Sequence, residues 1–236
     1  MTTTTTTRSI LSLALLGSSL AACGVNELPV YRSQIHSVTV AAVVTDSAEL
    51  SIADPAVVSD PNAQTPADAA NAAMESYIIT SLSQRVRSQL DPRLVERSFG
   101  DRFAPDVSRG TGWALAGSDA AADARVVAEV DGFGLDVDEL GRATVYFRMS
   151  ARAWFNTSDR LIYESWSSHE VPLVLDPYAA PYVSYGDDPS ELAAERAYNL
   201  MLLDDVSGPE LRAMVLDAAR DAAAVLARQL VEASWE

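Results

Sequence analysis

Lysine is absent from this chain: its seventeen basic residues are all arginine, they face 33 acidic ones, and the formal charge is −16. A chain this negative, with no cluster of positive charge, is repelled by phosphate backbones and by anionic lipid headgroups, so nucleic acid is excluded as an expected partner. No lysine is available for a β- or γ-phosphate, and the glycines at 110, 112 and 117 fit neither a dinucleotide nor a P-loop spacing. One cysteine cannot build a disulfide framework. The two histidines, His36 and His169, lie far apart with no second ligand beside either, which leaves no zinc site. The chain has no Gly-x-Ser-x-Gly elbow, and His169-Glu170 lacks the second histidine of a zinc protease helix. No catalytic, cofactor-binding or metal-ligating set is therefore expected. Asp136, Asp138 and Gly141 match a calcium loop only in part, because positions 5 and 12 of such a loop fall on Leu140 and Phe147; a hairpin turn accounts for them better.

The first segment carries an address. Arg8 precedes the short apolar run Ile10-Leu11-Ser12-Leu13-Ala14-Leu15-Leu16, followed by Gly17-Ser18-Ser19-Leu20-Ala21-Ala22-Cys23. A run this short reads as a secretory signal and not as a span of about 30 Å of hydrocarbon. Leu20-Ala21-Ala22-Cys23 resembles the lipobox of bacterial lipoproteins, and the only cysteine stands where that pattern requires it. The resemblance implies removal of residues 1–22 and a diacylglyceryl thioether on Cys23, with a stable membrane anchor once two or more acyl chains are attached. Gly24 in place of aspartate implies outer-membrane sorting by the enteric rule. Residues 23–35 are expected to form a tether, and 36–236 a single domain.

Periodicity organises that domain. His36 to Val44 is β-branched and apolar, a strand; 45–64 reads as loop. Thr65-Pro66-Ala67-Asp68 opens a helix whose Met74, Ile78, Leu82, Val86 and Leu90 recur at i+4, and Asp91-Pro92 closes it. Leu94 to Ser98 is expected as a short strand and 99–122, rich in glycine, as an ordered loop. Residues 124–131 alternate, and Ala143 to Phe155 alternate more clearly. With Leu161 to Trp166 they make an antiparallel meander joined by turns at 138–141 and 157–159. A proline-rich loop over 171–187 holds Tyr178, Tyr182 and Tyr185. Capped helices open at Asp188 and Ser207, the last with a stripe of Leu211, Val215, Ala218, Ala222, Val225 and Leu226. One apolar sheet face and several apolar helix stripes predict an α+β fold, a two-layer sandwich with a mainly antiparallel sheet packed by amphipathic helices.

The helix at 66–90 running into Leu94-Val95-Glu96-Arg97, the strand opening Asp123-Ala124-Arg125-Val126-Val127, the turn Asn156-Thr157-Ser158-Asp159-Arg160 before Leu161-Ile162-Tyr163 and the amphipathic last helix together resemble a group of envelope lipoproteins. The group comprises penicillin-binding-protein activator lipoproteins, the curli-secretion lipoprotein and the amino-terminal domain of the periplasmic Tol protein. The resemblance implies an accessory role, docking on an envelope protein or complex in assembly, transport or cell-wall synthesis. Auxiliary lipoproteins of lipid-trafficking ABC systems share the outline and supply the alternative, lipid handling, with an acyl chain held between sheet and alanine-rich helix. The side chains Tyr146, Arg148, Arg152 and Trp154, opposite the apolar row of the long strand, are the expected partner-binding residues, since tyrosine, tryptophan and arginine are enriched at hot spots. Cross-strand pairing of the two arginines with Glu129 or Glu164 is the alternative. The tyrosine loop is the second candidate surface. Oligomeric state stays open.

Overall fold

The central strand of the meander sets the geometry of everything around it. β5 (Ala143–Phe155) buries Ala143, Val145, Phe147, Met149, Ala151 and Ala153 on one face and turns Tyr146, Arg148, Arg152 and Trp154 to the other. The period of two in the sequence is thus the period of burial, with one departure, Ser150, which is buried on the second face. The computed structural model describes residues 24–53, 66–173, 175 and 189–236; the lipobox, the Thr65 cap and the tyrosine loop lie outside them.

β4 (Ala124–Val137) and β6 (Arg160–Pro172) flank β5 antiparallel, as the alternation predicts. β1 (Ser37–Val44) lies parallel to the first half of β4, β2 (Glu49–Ile52) parallel to its second half, and β3 (Ala114–Leu115) parallel to β1. The sheet runs β3-β1-β4-β5-β6 and is mixed, its meander antiparallel and its far side parallel. The parallel pairs follow from connectivity: helices intervene between β2 and β4, and a helical crossover returns the chain in the same direction. β2 occupies part of the segment expected as loop.

A bulge extends β4 past the expected end at 131. Ala124, Val126, Ala128 and Val130 are buried, then the parity changes and Phe133, Leu135 and Val137 are buried. The register slips between Val130 and Gly132, leaving Asp131 as the extra residue, so both apolar sets face the same side. Phe133 then stacks on Phe147 across the strands, ring centroids 6.1 Å apart.

The helices are α1 (Leu28–Tyr31), α2 (Pro66–Gln89), α3 (Pro92–Thr111), α4 (Pro189–Asp205) and α5 (Gly208–Ala233). α3 and α5 pack together and cover the apolar sheet face, α3 over β1 and α5 over β5 and β6, while α2 packs on α4 and α5. This is the expected α+β sandwich. Ile78, Leu82, Val86 and Leu90 are buried along the α2 stripe, and Met74 at its start is 39% exposed. Ser207 and Glu210 form the capping box expected for the last helix.

The segment expected as a short strand and glycine loop, 94–98 and 99–122, is instead mostly α3. Asp91 caps it by accepting from the Arg93 N–H at 2.9 Å, Pro92 takes the first turn, and Gly112 ends it at φ +80°. Val95, Phe99, Phe103 and Val107 recur at i+4 and are all buried. The glycines that suggest a loop serve close approach: a Cβ on Gly100 would meet the Ala42 Cβ of β1 at 3.3 Å, and one on Gly110 would meet Val231 Cγ2 of α5 at 2.5 Å.

The expected tether also packs on the domain. Asn26 bridges Tyr163 at the β6 edge, the Glu27 N–H donates to the Ile162 carbonyl at 2.7 Å, and the Glu164 N–H donates to the Val25 carbonyl at 2.8 Å. Leu28 is fully buried, and Tyr31 meets Phe155 with centroids 5.0 Å apart. An irregular polar segment gains order here because the sheet edge offers free backbone groups and an apolar socket.

The Gly110 contact predicts an inversion. Gly110→Ala gains about 1 kcal/mol of helix propensity but overpacks against stiff Val231, costing about 1–3 kcal/mol, so the net expected effect is destabilising. In a Val231→Ala background the same change is expected to be neutral or stabilising. Urea midpoints of the four proteins in this cycle check it.

Candidate functional site: the open face of the sheet

No helix among the described residues covers the face of β4, β5 and β6 opposite the core. There the four expected side chains are found together on one strand, each with a cross-strand companion. Arg152 donates from Nε to Glu164 Oε1 at 2.8 Å and from Nη1 to Glu129 Oε2 at 3.3 Å, joining three strands. Tyr146 donates its hydroxyl to Glu49 Oε2 of β2 at 2.8 Å, and Arg148 Nη2 reaches the same oxygen at 3.5 Å. Trp154 is covered by Arg125, whose guanidinium carbon lies 4.8 Å from the ring centroid and whose Nη2 pairs with Asp159 at 2.8 Å. The pairing weighed in the sequence as the alternative role of the arginines is therefore present for Arg152, with both glutamates. Pairing and exposure coexist, since the Arg148 side chain remains 60% exposed and Trp166 of β6 is 46% exposed.

Local backbone chemistry places these groups. The bulge at Asp131 sets Gly132 opposite Arg148, where a Cβ would come within 2.7 Å of the guanidinium; glycine leaves the space in which that side chain lies. Asp159 takes the left-handed φ of +50° in the β5–β6 turn and so presents its carboxylate to Arg125. Electrostatically the face is not left positive: its three arginines, Arg125, Arg148 and Arg152, pair with four carboxylates, those of Asp159, Glu49, Glu129 and Glu164. Burial, then the hydrogen bond to Glu49, pushes the Tyr146 hydroxyl up to about 12, so the phenol stays protonated and donates.

A second concavity, a cleft of about 860 Å³, lies between β2 and the α2–α3 junction. Leu50, Val86 and Leu90 line it together with Ser47, Arg87 and Asp91. Asp138, weighed above as part of a calcium loop, is occupied in the turn, where Oδ1 accepts the Leu140 and Arg142 N–H groups at 2.9 Å each and Oδ2 accepts Arg142 Nε at 2.7 Å. Among the described residues no group of three or more His, Cys, Asp or Glu could hold a metal ion, and no helix is long and apolar enough to cross a membrane. Cys23 lies outside the described residues.

No protein-family model matches the chain, and no curated protein matches it in sequence. Among solved structures, a Xanthomonas campestris protein assigned to the family model DUF330 is similar at 12% identity and TM-score 0.33, covering 80% of this chain and 87% of that one. An uncharacterised protein is similar at 15% identity and TM-score 0.34, covering 83% and 92%. The PelC dodecamer of Paraburkholderia phytofirmans is similar at 11% identity and TM-score 0.31, covering 78% and 96%. Scores of this size do not establish a shared fold.

Glu49 is the member of the face that the sequence reading passed over. Its signal was the alternation Glu49-Leu50-Ser51-Ile52, short but of strand period, hidden in a segment otherwise marked by proline and aspartate. Arg125 was legible as a polar position of β4, but its stacking on Trp154 depends on cross-strand register.

The Tyr146 pair predicts a titration. Because the folded pKa of about 12 exceeds the ordinary value of 10, its contribution to stability is complete below pH 10 and is lost as pH rises through 12. Tyrosine-ring NMR is expected to place Tyr146 ionisation about two units above a free phenol. Glu49→Gln should lower it partway only, since burial is the larger cause.

Proposed function

We propose that the protein is a lipid-anchored, non-enzymatic component of the cell envelope, held on the periplasmic side by Cys23, that docks on a partner protein or complex through the open face of its sheet. The observation that carries the reading is the contrast between the faces of β5. One is closed by α3 and α5, while the other carries tyrosine, arginine and tryptophan side chains, half-buried or exposed, whose arginines are paired with carboxylates. Such a set suits a protein partner. Its aromatic and guanidinium groups supply contact area and directed hydrogen bonds, and its arginines are held in place by Glu49, Glu129 and Glu164, so little side-chain freedom remains to be lost on binding. The lipobox motif supplies the anchor, and Gly24 favours the outer membrane.

The alternative, a lipid-handling auxiliary lipoprotein, draws less support. Of the α5 alanines proposed to line an acyl cavity, Ala218, Ala219, Ala222 and Ala223 are at most 3% exposed in a helix packed on α3 and the sheet, and Ala224 is half-buried. The cleft beside β2 has charged and hydroxyl groups in its wall, which suits an acyl chain poorly.

Crosslinking capture from membranes tests the docking face. The native protein is expected to capture a defined envelope complex that Cys23→Ala depletes by releasing the protein from the membrane. Arg148→Glu combined with Trp154→Ala should stay membrane-bound and folded yet lose capture by about 30-fold or more, the scale of a hot-spot loss of 2 kcal/mol. Undiminished capture by that double variant would reject the face as the docking site.

A further inference from the structure

The described chain begins at Gly24, one residue after Cys23, and Gly24 already lies against the domain. A Cβ there would overlap the Glu164 carbonyl oxygen at 1.8 Å, so the backbone is pressed onto the β6 edge. From this point Val25 pairs with Glu164, Asn26 Nδ2 donates to the Ala233 carbonyl at the end of α5, and Arg32 stacks over the Trp235 ring. Exposed apolar groups belong to this segment and to the residue it stacks on: Val30 is 70% exposed, Trp235 60% and Val25 37%. On the proposal that Cys23 carries lipid, almost no chain separates the acyl groups from the folded surface, because adjacent Cα atoms are only about 3.8 Å apart.

We propose that this edge, with Val25, Val30 and Trp235, rests directly on the headgroup layer of a zwitterionic phospholipid surface, so that the anchor fixes the orientation of the domain as well as its location. The inference rests on the lipid-anchor reading above. Tryptophan suits this position because its ring is apolar while its indole N–H remains wet, which is why such residues collect at membrane interfaces. Arg32, whose guanidinium stacks over the Trp235 ring, is compatible with that position, since a guanidinium on an aromatic face can still donate in its plane to a lipid phosphate. The chain's charge of −16 opposes anionic lipid, so the apolar groups and the anchor supply the attraction.

The four tryptophans make the test direct. Trp113 is buried at 4% exposure, and Trp154 and Trp166 stand on the open face, Trp166 opposite Ser150, so Trp235 is the tryptophan that reports on the proposed contact. The native lipoprotein is incorporated into phosphatidylcholine vesicles with brominated chains, separated by flotation, and its tryptophan emission compared with that in unbrominated vesicles. If Trp235 rests at the interface, roughly a quarter of the emission should be open to quenching, and Trp235→Phe should abolish the quenching without altering flotation. Protein that floats but is not quenched, or quenching that survives in Trp235→Phe, overturns the proposed contact while leaving the anchor intact. Protein that fails to float overturns the anchor and the contact together.

Discussion

Burial of the sheet on one face only is the constraint on which the rest of this structure depends. The alternation of β5 gives one row that must leave water and one that largely keeps it, Ser150 being the buried position of the second row. Every other element answers that requirement. The Asp131 bulge corrects β4 so that its apolar residues stay with those of β5, and α3 and α5 come close enough to cover them because Gly100 and Gly110 present no side chain at the tightest points. A helix crossing a sheet at ordinary separation would leave Ala128, Ala151 and Ala153 facing empty space, and dense interiors do not tolerate such gaps. Small strand residues and small helix residues are therefore two halves of one arrangement.

The same economy appears in the use of arginine as the sole side-chain cation apart from histidine. A guanidinium presents five donors in a fixed plane and can hold several acceptors at once, as a lysine ammonium cannot in that geometry. Arg196 of α4, only 6% exposed, donates Nε to Glu75 of α2 at 2.9 Å, Nη1 to the carbonyls of Asp138 and Glu139 at 3.1 and 3.0 Å, and Nη2 to the Ala53 carbonyl at 3.1 Å. One side chain thus joins two helices, the β4–β5 turn and the end of β2. Its charge is tolerable at that depth because each donor has a partner. Arg85 of α2 makes a similar joint at the end of α4, pairing with Asp204 and donating to the Asp204 and Val206 carbonyls, where a cation complements the helix dipole.

The fold class, the meander, its turns and three of the helices were legible in the sequence because each rests on short-range signals: alternation, an i+4 stripe, a cap three residues before a glutamate. What escaped depends on neighbours distant in sequence. The stripe Val95, Phe99, Phe103 and Val107 was present, but Gly100, Pro105 and Gly110 argued for a loop, and only the nearness of Ala42 and Val231 shows why a helix would carry glycine there. Pro92 looked like an end to α2 and is also the first turn of α3, since a residue that cannot continue one helix can begin the next. The parallel placement of β1 and β2 was similarly hidden, because strand order is a property of the crossover. For the open face, sequence placed Tyr146, Arg148, Arg152 and Trp154 on one side of one strand and offered Glu129 and Glu164 as partners; that both hold Arg152, while Glu49 of β2 meets Tyr146 and Arg148, required the register of four strands.

The two proposed surfaces are geometrically compatible in a specific way. β6 is one edge of the sheet, and the entering segment at 25–27 pairs with that edge at 162–164. Farther along, Pro172 removes a donor, one of the means by which sheet edges avoid unwanted pairing. If this edge rests on the bilayer, the sheet stands on end, and its open face looks along the membrane instead of away from it. A partner meeting Arg148 and Trp154 would then lie beside the domain at a fixed height above the lipid, not on top of it. On the proposed reading, a short anchor would restrict docking to partners seated in or on the same membrane, and restricting a partner to that layer raises its effective concentration without adding a single contact.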